Sequence, residues 1–426
     1  MGRKQVGRYH ILGGRRLCGT VKVQGSKNAA LPMIAAAVLT KEEVVLERCP
    51  QISDVKDMAE IVRSLGGAVW WEKEDLHLKC ADIKRSCVEG VLSKRLRASL
   101  LFLGSLLTRT GEAHLAGTGG CQIGKRPTDL HQRAMEVLGA RVLEEEGTIF
   151  ARADHPKGTV LCFPKKSVGA TENAILFAVG AEGTTRLEFC AREPEIVHLC
   201  RFLRAMGADI AGEGTEQITI SGRRGKTAFS GCRYVVPGDR IAAGTYLLMG
   251  AATRGSVVLL DAPLEEMGAV LSLYQKIGGQ YTRKSGTLIA DSEKVQYAVP
   301  YVETAEYPGF PTDLQSLYLA AAVTLEGRSC ICENVFEDRL RTAQELQKMG
   351  AMLQICGKWI NTKKSRLHGA DVVSRDLRGG AALVSAALAA EGFSTVQKTE
   401  FIERGYERFP ETLRELGADI IVEKEV

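Results

Sequence analysis

The chain has 426 residues, 45% of them hydrophobic and 25% charged, with a formal net charge of +5 at pH 7. That length exceeds one comfortable core and predicts two or three domains. The composition is that of a soluble protein, without a Lys/Arg run long enough for a nucleic-acid stripe or an apolar run of about 18 residues for a membrane span. MGRKQVGRYHILGGRR lacks the apolar stretch of a signal peptide, so a cytoplasmic protein is expected. Its mild positive excess suits anionic small-molecule substrates.

Along the chain, a helix-like run ends six times in a bulky apolar residue and a glycine, and a strand-like run follows. The glycines are Gly66, Gly139, Gly207, Gly278, Gly350 and Gly417, spaced 73, 68, 71, 72 and 67 residues apart. Each stands where a helix end needs a left-handed residue before the chain turns. Between them, runs of small apolar residues such as AALPMIAAAVL read as buried helices, each closed by a turn and a strand such as VVLERC or RLEFC. The spacing predicts six copies of one unit: helix, strand, loop, helix, glycine turn, strand. Solenoid repeats usually run about 20–50 residues, so closed α/β domains are expected instead, three units to each, with the changeover near Pro237–Gly238.

The 12 cysteines are scattered without a CxxC pair. Cys49, Cys80, Cys190, Cys330 and Cys356 stand in apolar contexts and read as small buried hydrophobes. The seven histidines form no HxxxH or HExxH pattern, which gives a zinc site little support.

The polar motifs fall in corresponding places of the units. In VQGSKNAALP, Lys27 and Asn28 stand between a strand and a buried helix, where a lysine joins the helix N-terminus in holding phosphate; a solvated lysine beside an Asn cap is the alternative. In GTGGCQIGKRPTDLH, glycines 117, 119, 120 and 124 flank Cys121, and Lys125 and Arg126 follow. Adjacent cations favour a reactive thiolate, against the alternative of a free cysteine in a surface loop. Asp129 and His131 keep that loop polar. In KKSVGATEN, Ser167, Val168 and Gly169 precede another small-residue helix whose first N–H groups can cradle an anion. In EYPGFPTDLQ, Asp313 follows Pro308 and Pro311, and a plain helix N-cap is its alternative role. RDLRGGAAL offers Asp376 and Arg378 in the equivalent place one repeat later, and IERGYERF offers Arg404. Lys27, Arg97, Cys121, Arg126, Asp313, Arg378 and Arg404 are expected to converge between the two domains, where ligand sites prefer to sit.

The motifs GSKNAALP, RLRAS, GGCQIGKRPTDLH, SVGAT, AREPEIV, GDRI, GFPTDLQ, VFEDR, DLR and ERGYER occur in the order found in the UDP-N-acetylglucosamine enolpyruvyl transferases, and the chain resembles that family from about Gly14 to Glu423. The resemblance implies two inside-out α/β barrel domains, each of three repeated units with helices inside and sheets outside, and an active site in the interdomain cleft. Residues 25–237 would form the first domain, and 1–24 with 238–426 a discontinuous second one. It implies transfer of the enolpyruvyl group of phosphoenolpyruvate to the 3′-hydroxyl of UDP-N-acetylglucosamine, with release of phosphate and no cofactor. By position, Lys27, Arg126 and Arg404 match the phosphoenolpyruvate ligands, with Asn28 beside them. Lys165, Ser167, Val168, Gly169, the loop of Arg126, Pro127, Asp129, Leu130 and His131, and the Val335 region match the UDP side. Arg97, Asp376 and Arg378 complete the substrate-binding set. Cys121 matches the residue that protonates the methylene carbon and is alkylated by fosfomycin, and Asp313 the base that receives the 3′-hydroxyl proton.

Two positions depart from the family pattern: Ala242 stands where relatives usually carry Glu, and Phe401 where they usually carry His or another residue. A catalytically degenerate paralogue that binds UDP-sugar is the alternative of a different class. The 5-enolpyruvylshikimate-3-phosphate synthases are the enzymatic rival, disfavoured because they carry a Ser-rich run leading to Asn-Arg where this chain has KNAALP, and lack the cysteine loop.

Overall fold

The computed structural model describes residues 7–117, 119, 124, 126–223 and 229–424. They form two compact units. Of the described residues, the first domain takes 25–117, 119, 126–223 and 229–237, and the second takes 7–24, 124 and 238–424. Each has its own hydrophobic core.

The repeated unit is visible at every level. The six glycines all have positive φ, between +88° and +108°, which closes each outer helix and sends the chain into a strand, the first strand of a hairpin in every unit but the last. Each domain contains three sheets of four strands, and all six sheets share one pattern. An edge strand runs parallel to its neighbour, and two antiparallel pairings follow. The inner hairpin strands Thr148–Arg152, Thr287–Asp291 and Trp359–Lys363 carry the same alternation of inward and outward residues, as expected of sheets with one covered face.

The inner helices are sealed on all sides. In the first domain they are Lys27–Ala37, Phe102–Thr110 and Val168–Ala178; in the second, Arg240–Thr253, Gln315–Ala322 and Leu377–Ala389. Small residues make this packing possible. A Cβ on Gly104 would stand 2.5 Å from the Asn173 carbonyl oxygen, and one on Gly244 would stand 2.5 Å from Leu314. The outer helices, such as Ser53–Leu65, bury one stripe only: Val55, Met58, Ala59, Ile61, Val62 and Leu65 beside Asp54. Helices inside and sheets outside make each domain an inside-out α/β barrel.

In the second domain the sheets recruit the start of the chain. Cys18–Lys22 pairs in parallel with Ser256–Leu260. Gly7–Leu12 lies between Phe393–Gln397 and Asp419–Lys424, antiparallel to both. Two cysteines depart from expectation. Cys356 is exposed and Cys330 half-buried, because strand alternation turns Ile331 inward and Cys330 away from the core. Among the described residues, no helix is long and apolar enough to cross a membrane.

Candidate active site

In the first domain, Ser26 caps the helix that opens with Lys27 and Asn28, its hydroxyl accepting from Ala29 N. Lys27 is not a solvated lysine: its Nζ lies 2.9 Å from Asp54 Oδ2, and the two side chains are only 13% and 5% exposed. Asn28 is not the cap; its Nδ2 donates to Glu195 Oε1 at 3.4 Å. Behind Glu195 stands buried Glu172, whose carboxyl is pushed well above the usual range by burial and by the charges of Glu195 and Glu193.

The second cluster of this domain gathers cations. Arg97 donates from Nη2 to Pro127 O at 2.8 Å. Burial, and then the like charge of Arg126, pull its guanidinium down to about 10. Two guanidiniums brought together in this way favour an anion between them. His131, 7% exposed, is pushed down to about 3 by burial and by Arg97 and Arg126, so it is neutral. Its tautomer follows from its neighbour. Asn173 accepts from Gly104 N through Oδ1 at 2.9 Å and donates from Nδ2 to Leu100 O at 2.8 Å. The same nitrogen meets His131 Nδ1 at 2.8 Å, so Nδ1 accepts and Nε2 carries the proton. The ring packs against Gly169, where an added Cβ would be 3.1 Å from Cε1 and 3.4 Å from Nε2. Ser167 caps the same helix by accepting from Ala170 N.

His131, Ser167, Val168 and Gly169 are thus brought together. Pro127, Asp129 and Lys165 are exposed, whereas Leu130 belongs to the domain's hydrophobic core. Cys121 lies outside the described residues. Asn173 was not legible as a site residue; its only signal was a lone amide beside Thr171 and Glu172 in a helix of small and apolar residues.

In the second domain, Asp313 is not an N-cap. It lies within the short 3-10 turn Thr312–Leu314, and its carboxylate is taken by two arginines. Arg339 Nη2 donates to Oδ1, while Arg378 donates to Oδ2 from Nε at 3.3 Å and Nη2 at 3.1 Å. Asp376 is the cap that Asp313 is not: its Oδ1 accepts from Arg378 N and Gly379 N. This fixes the first turn of the buried helix and hence the base of the Arg378 side chain. That guanidinium lies over the Tyr406 ring, 5.3 Å from its centroid. Tyr406 Oη meets Thr245 Oγ1 at 2.8 Å, and Thr245 donates to Ile241 O, so Tyr406 is the donor of the pair. Arg404, half-buried, ends the 3-10 helix Thr399–Arg404. Just beyond it, Gln24 fastens the loop by donating to Gly405 O at 3.0 Å and accepting from Glu407 N at 2.8 Å. Val335 is 40% exposed, its N–H held by Glu333 at 2.8 Å. Ala242 is wholly buried in the first turn of the helix Arg240–Thr253, and Phe401 is half-buried in the 3-10 helix that carries Arg404.

The inside-out α/β barrel fold of each domain is that of the enolpyruvyl transferases. The family model described as EPSP synthase (3-phosphoshikimate 1-carboxyvinyltransferase) matches residues 11–413, and the chain belongs to that family. Within it, the chain is 40% identical over 418 residues to the UDP-N-acetylglucosamine 1-carboxyvinyltransferase of Koribacter versatilis, covering 97% of this chain and 96% of the relative. It is also 40% identical over 417 residues to the protein of that name from Thermus thermophilus, covering 96% of each. Among solved structures, the enolpyruvyl transferase NikO from Streptomyces tendae matches 99% of this chain and 100% of its own at a TM-score of 0.89 and 24% identity. An EPSP synthase from Acinetobacter baumannii matches 98% and 100% at 0.75 and 20% identity. These two likenesses speak to the fold alone.

Proposed function

We propose that the chain transfers the enolpyruvyl group of phosphoenolpyruvate to the 3′-hydroxyl of UDP-N-acetylglucosamine, releasing phosphate, as the first committed step of peptidoglycan synthesis. The observation that carries this reading is the 40% identity, along nearly the whole chain, to relatives named for that activity. The 5-enolpyruvylshikimate-3-phosphate reading is not favoured by those relatives.

In the addition step the 3′-oxygen bonds to C2 of phosphoenolpyruvate, its proton passes to Asp313, and a proton from Cys121 goes to the methylene carbon. In the elimination step that carbon returns a proton to the Cys121 thiolate, the C2–O bond breaks with its electron pair leaving on phosphate, and the vinyl ether forms. Lys27, Arg126 and Arg404 hold phosphoenolpyruvate, with Asn28 beside Lys27 and Arg378 adding charge. Cations of this kind suit phosphate and carboxylate. Arg97, Pro127, Asp129, Lys165, Val335 and the helix start at Ser167, Val168 and Gly169 take the UDP side, with Asp376 fixing Arg378. His131, neutral and protonated on Nε2, offers a donor that does not change charge across the working pH range. The chain's partners are these two small-molecule substrates, and its place is the cytoplasm.

The test is phosphate release from phosphoenolpyruvate with and without the UDP-sugar, beside Cys121→Ala, with fosfomycin as a second arm. Release that needs the UDP-sugar and is abolished by fosfomycin supports the reading. Sugar-independent release, or none from folded protein that binds the UDP-sugar, refutes it. An active enzyme indifferent to fosfomycin removes Cys121 from its role.

A further inference from the structure

Asp313 is gripped from both sides by groups that are otherwise sealed from water. Arg339 is 4% exposed and Arg378 3% exposed. The Arg339 guanidinium lies over the Phe336 ring, 5.2 Å from its centroid. Its Nε and Nη1 have no hydrogen-bond partner among the described residues. Its bond to Asp313 is therefore what holds a buried cation in place, and a buried charge needs such a partner. A residue whose job was packing alone would not be a guanidinium with two unmatched donors.

The neighbouring acids are occupied elsewhere. Asp239, near Arg378 and Tyr406, caps the helix Arg240–Thr253 through Ile241 N and Ala242 N. Asp376 caps the helix Leu377–Ala389. Glu333 accepts from the hydroxyls of Thr304 and Thr312 and from the N–H groups of Val335 and Phe336. Tyr406 is tied to Thr245. The charges that meet the Asp313 carboxylate from the Glu337–Leu340 turn and from the helix Leu377–Ala389 are thus both positive.

We infer that Arg339 is a positioning residue for the proton-accepting step: with Arg378 it holds both oxygens of Asp313, aims that carboxylate and keeps it ionised into the acid range. The inference rests on the reading of Asp313 as the acceptor of the 3′-hydroxyl proton. An opposite charge in contact lowers an aspartate by about one to three pH units, and two such contacts on separate oxygens leave the group no freedom to rotate. The aspartate is a weaker base for it, but it is fully ionised and correctly aimed at every working pH.

The test is a ¹³C NMR titration of the Asp313 carboxyl in full-length protein, its signal assigned by loss in D313N, for wild type, R339Q and R339K, with kcat and KM measured on each. In wild type the midpoint should fall below the usual value of about 3.9. In R339Q it should rise by about one to three units, with kcat down about a hundredfold and KM for the UDP-sugar unchanged. R339K, which keeps the charge, should retain a midpoint near that of wild type. An unmoved midpoint in R339Q, or an equal rise in R339K, overturns the positioning role. Should R339Q not fold, a wild-type midpoint at or above the usual value overturns it by itself. A D313N enzyme that turns over normally overturns the proton-acceptor reading and this inference together, whereas an inactive D313N with an unmoved R339Q midpoint overturns only the latter.

Discussion

Asn173→Leu should unfold the first domain far more readily than its matched branching and equal number of side-chain heavy atoms suggest. The side chain is wholly buried and joins three elements: Gly104 N on one inner helix, Leu100 O on the turn before it, and His131 Nδ1 on an outer helix. Leucine leaves one donor and two acceptors without partners in a dry site, each costing about 1–3 kcal/mol, with part offset by the apolar surface gained. A net loss of about 2–5 kcal/mol is expected against a total stability of about 5–15 kcal/mol. Urea titration reads it by fluorescence. Trp70 and Trp71 lie in the first domain, and replacing Trp359 by Phe removes the signal of the second. A midpoint corresponding to less than about 0.5 kcal/mol of change, at unaltered m-value, would refute the claim that this amide organises the core and fixes the His131 tautomer.

His131 should show no protonation between pH 5 and 8 when its ring nitrogens are followed by NMR, since it is held down to about 3; a midpoint near 6.5 would contradict the burial argument. The linkage sign follows. Below about 6.5 the unfolded chain binds a proton here that the folded chain refuses, so stability falls as pH drops through the window from about 6.5 to 3. The loss approaches about 1.4 kcal/mol per pH unit from this group, and an H131Q variant should lose that slope in denaturation measured across the window. The turn glycines should separate by their surroundings. Gly417→Ala meets nothing closer than Arg16 O at 4.0 Å and should cost about 1 kcal/mol for its positive φ. Gly66→Ala would put a Cβ 2.7 Å from Asp82 O and should cost at least about twice as much in thermal denaturation; equal losses would show that backbone conformation alone decides.

The fold was legible because its two strongest devices are local. A left-handed residue after a helix demands glycine six times over, and a helix buried on every side demands small apolar residues along its whole length. Lys27, Ser167, Gly169 and Arg378 stood out in the sequence because each lies at the start of such a buried helix. What stayed hidden depends on partners far away in sequence. Arg339 sits inside a quoted motif, but its meaning comes from Asp313, 26 residues earlier. Tyr406 acquires its role from Thr245 across 161 residues. Asp313 and Asp376 look alike as residues before a helix, and only their partners show that Asp376 caps while two arginines take the Asp313 carboxylate. Cys330 and Cys356 misled because an apolar neighbourhood in a strand does not say which face a residue takes.

The last sheet has an effect on how the protein is made. In the first unit, Ala68–Glu72 turns through two residues into its partner Asp75–Lys79, but Asp419–Lys424 receives that partner from the opposite end of the chain, Gly7–Leu12. On the ribosome, the first domain has all its residues once about residue 237 has emerged. The opening strand Gly7–Leu12 must meanwhile wait, unpaired, for nearly the whole polypeptide to be translated, whereas Cys18–Lys22 finds its partner at Ser256–Leu260. The same register brings Gly7 opposite Lys424, so a re-threaded gene that ran residue 424 into residue 7 through a tight turn would turn this late closure into an ordinary local hairpin.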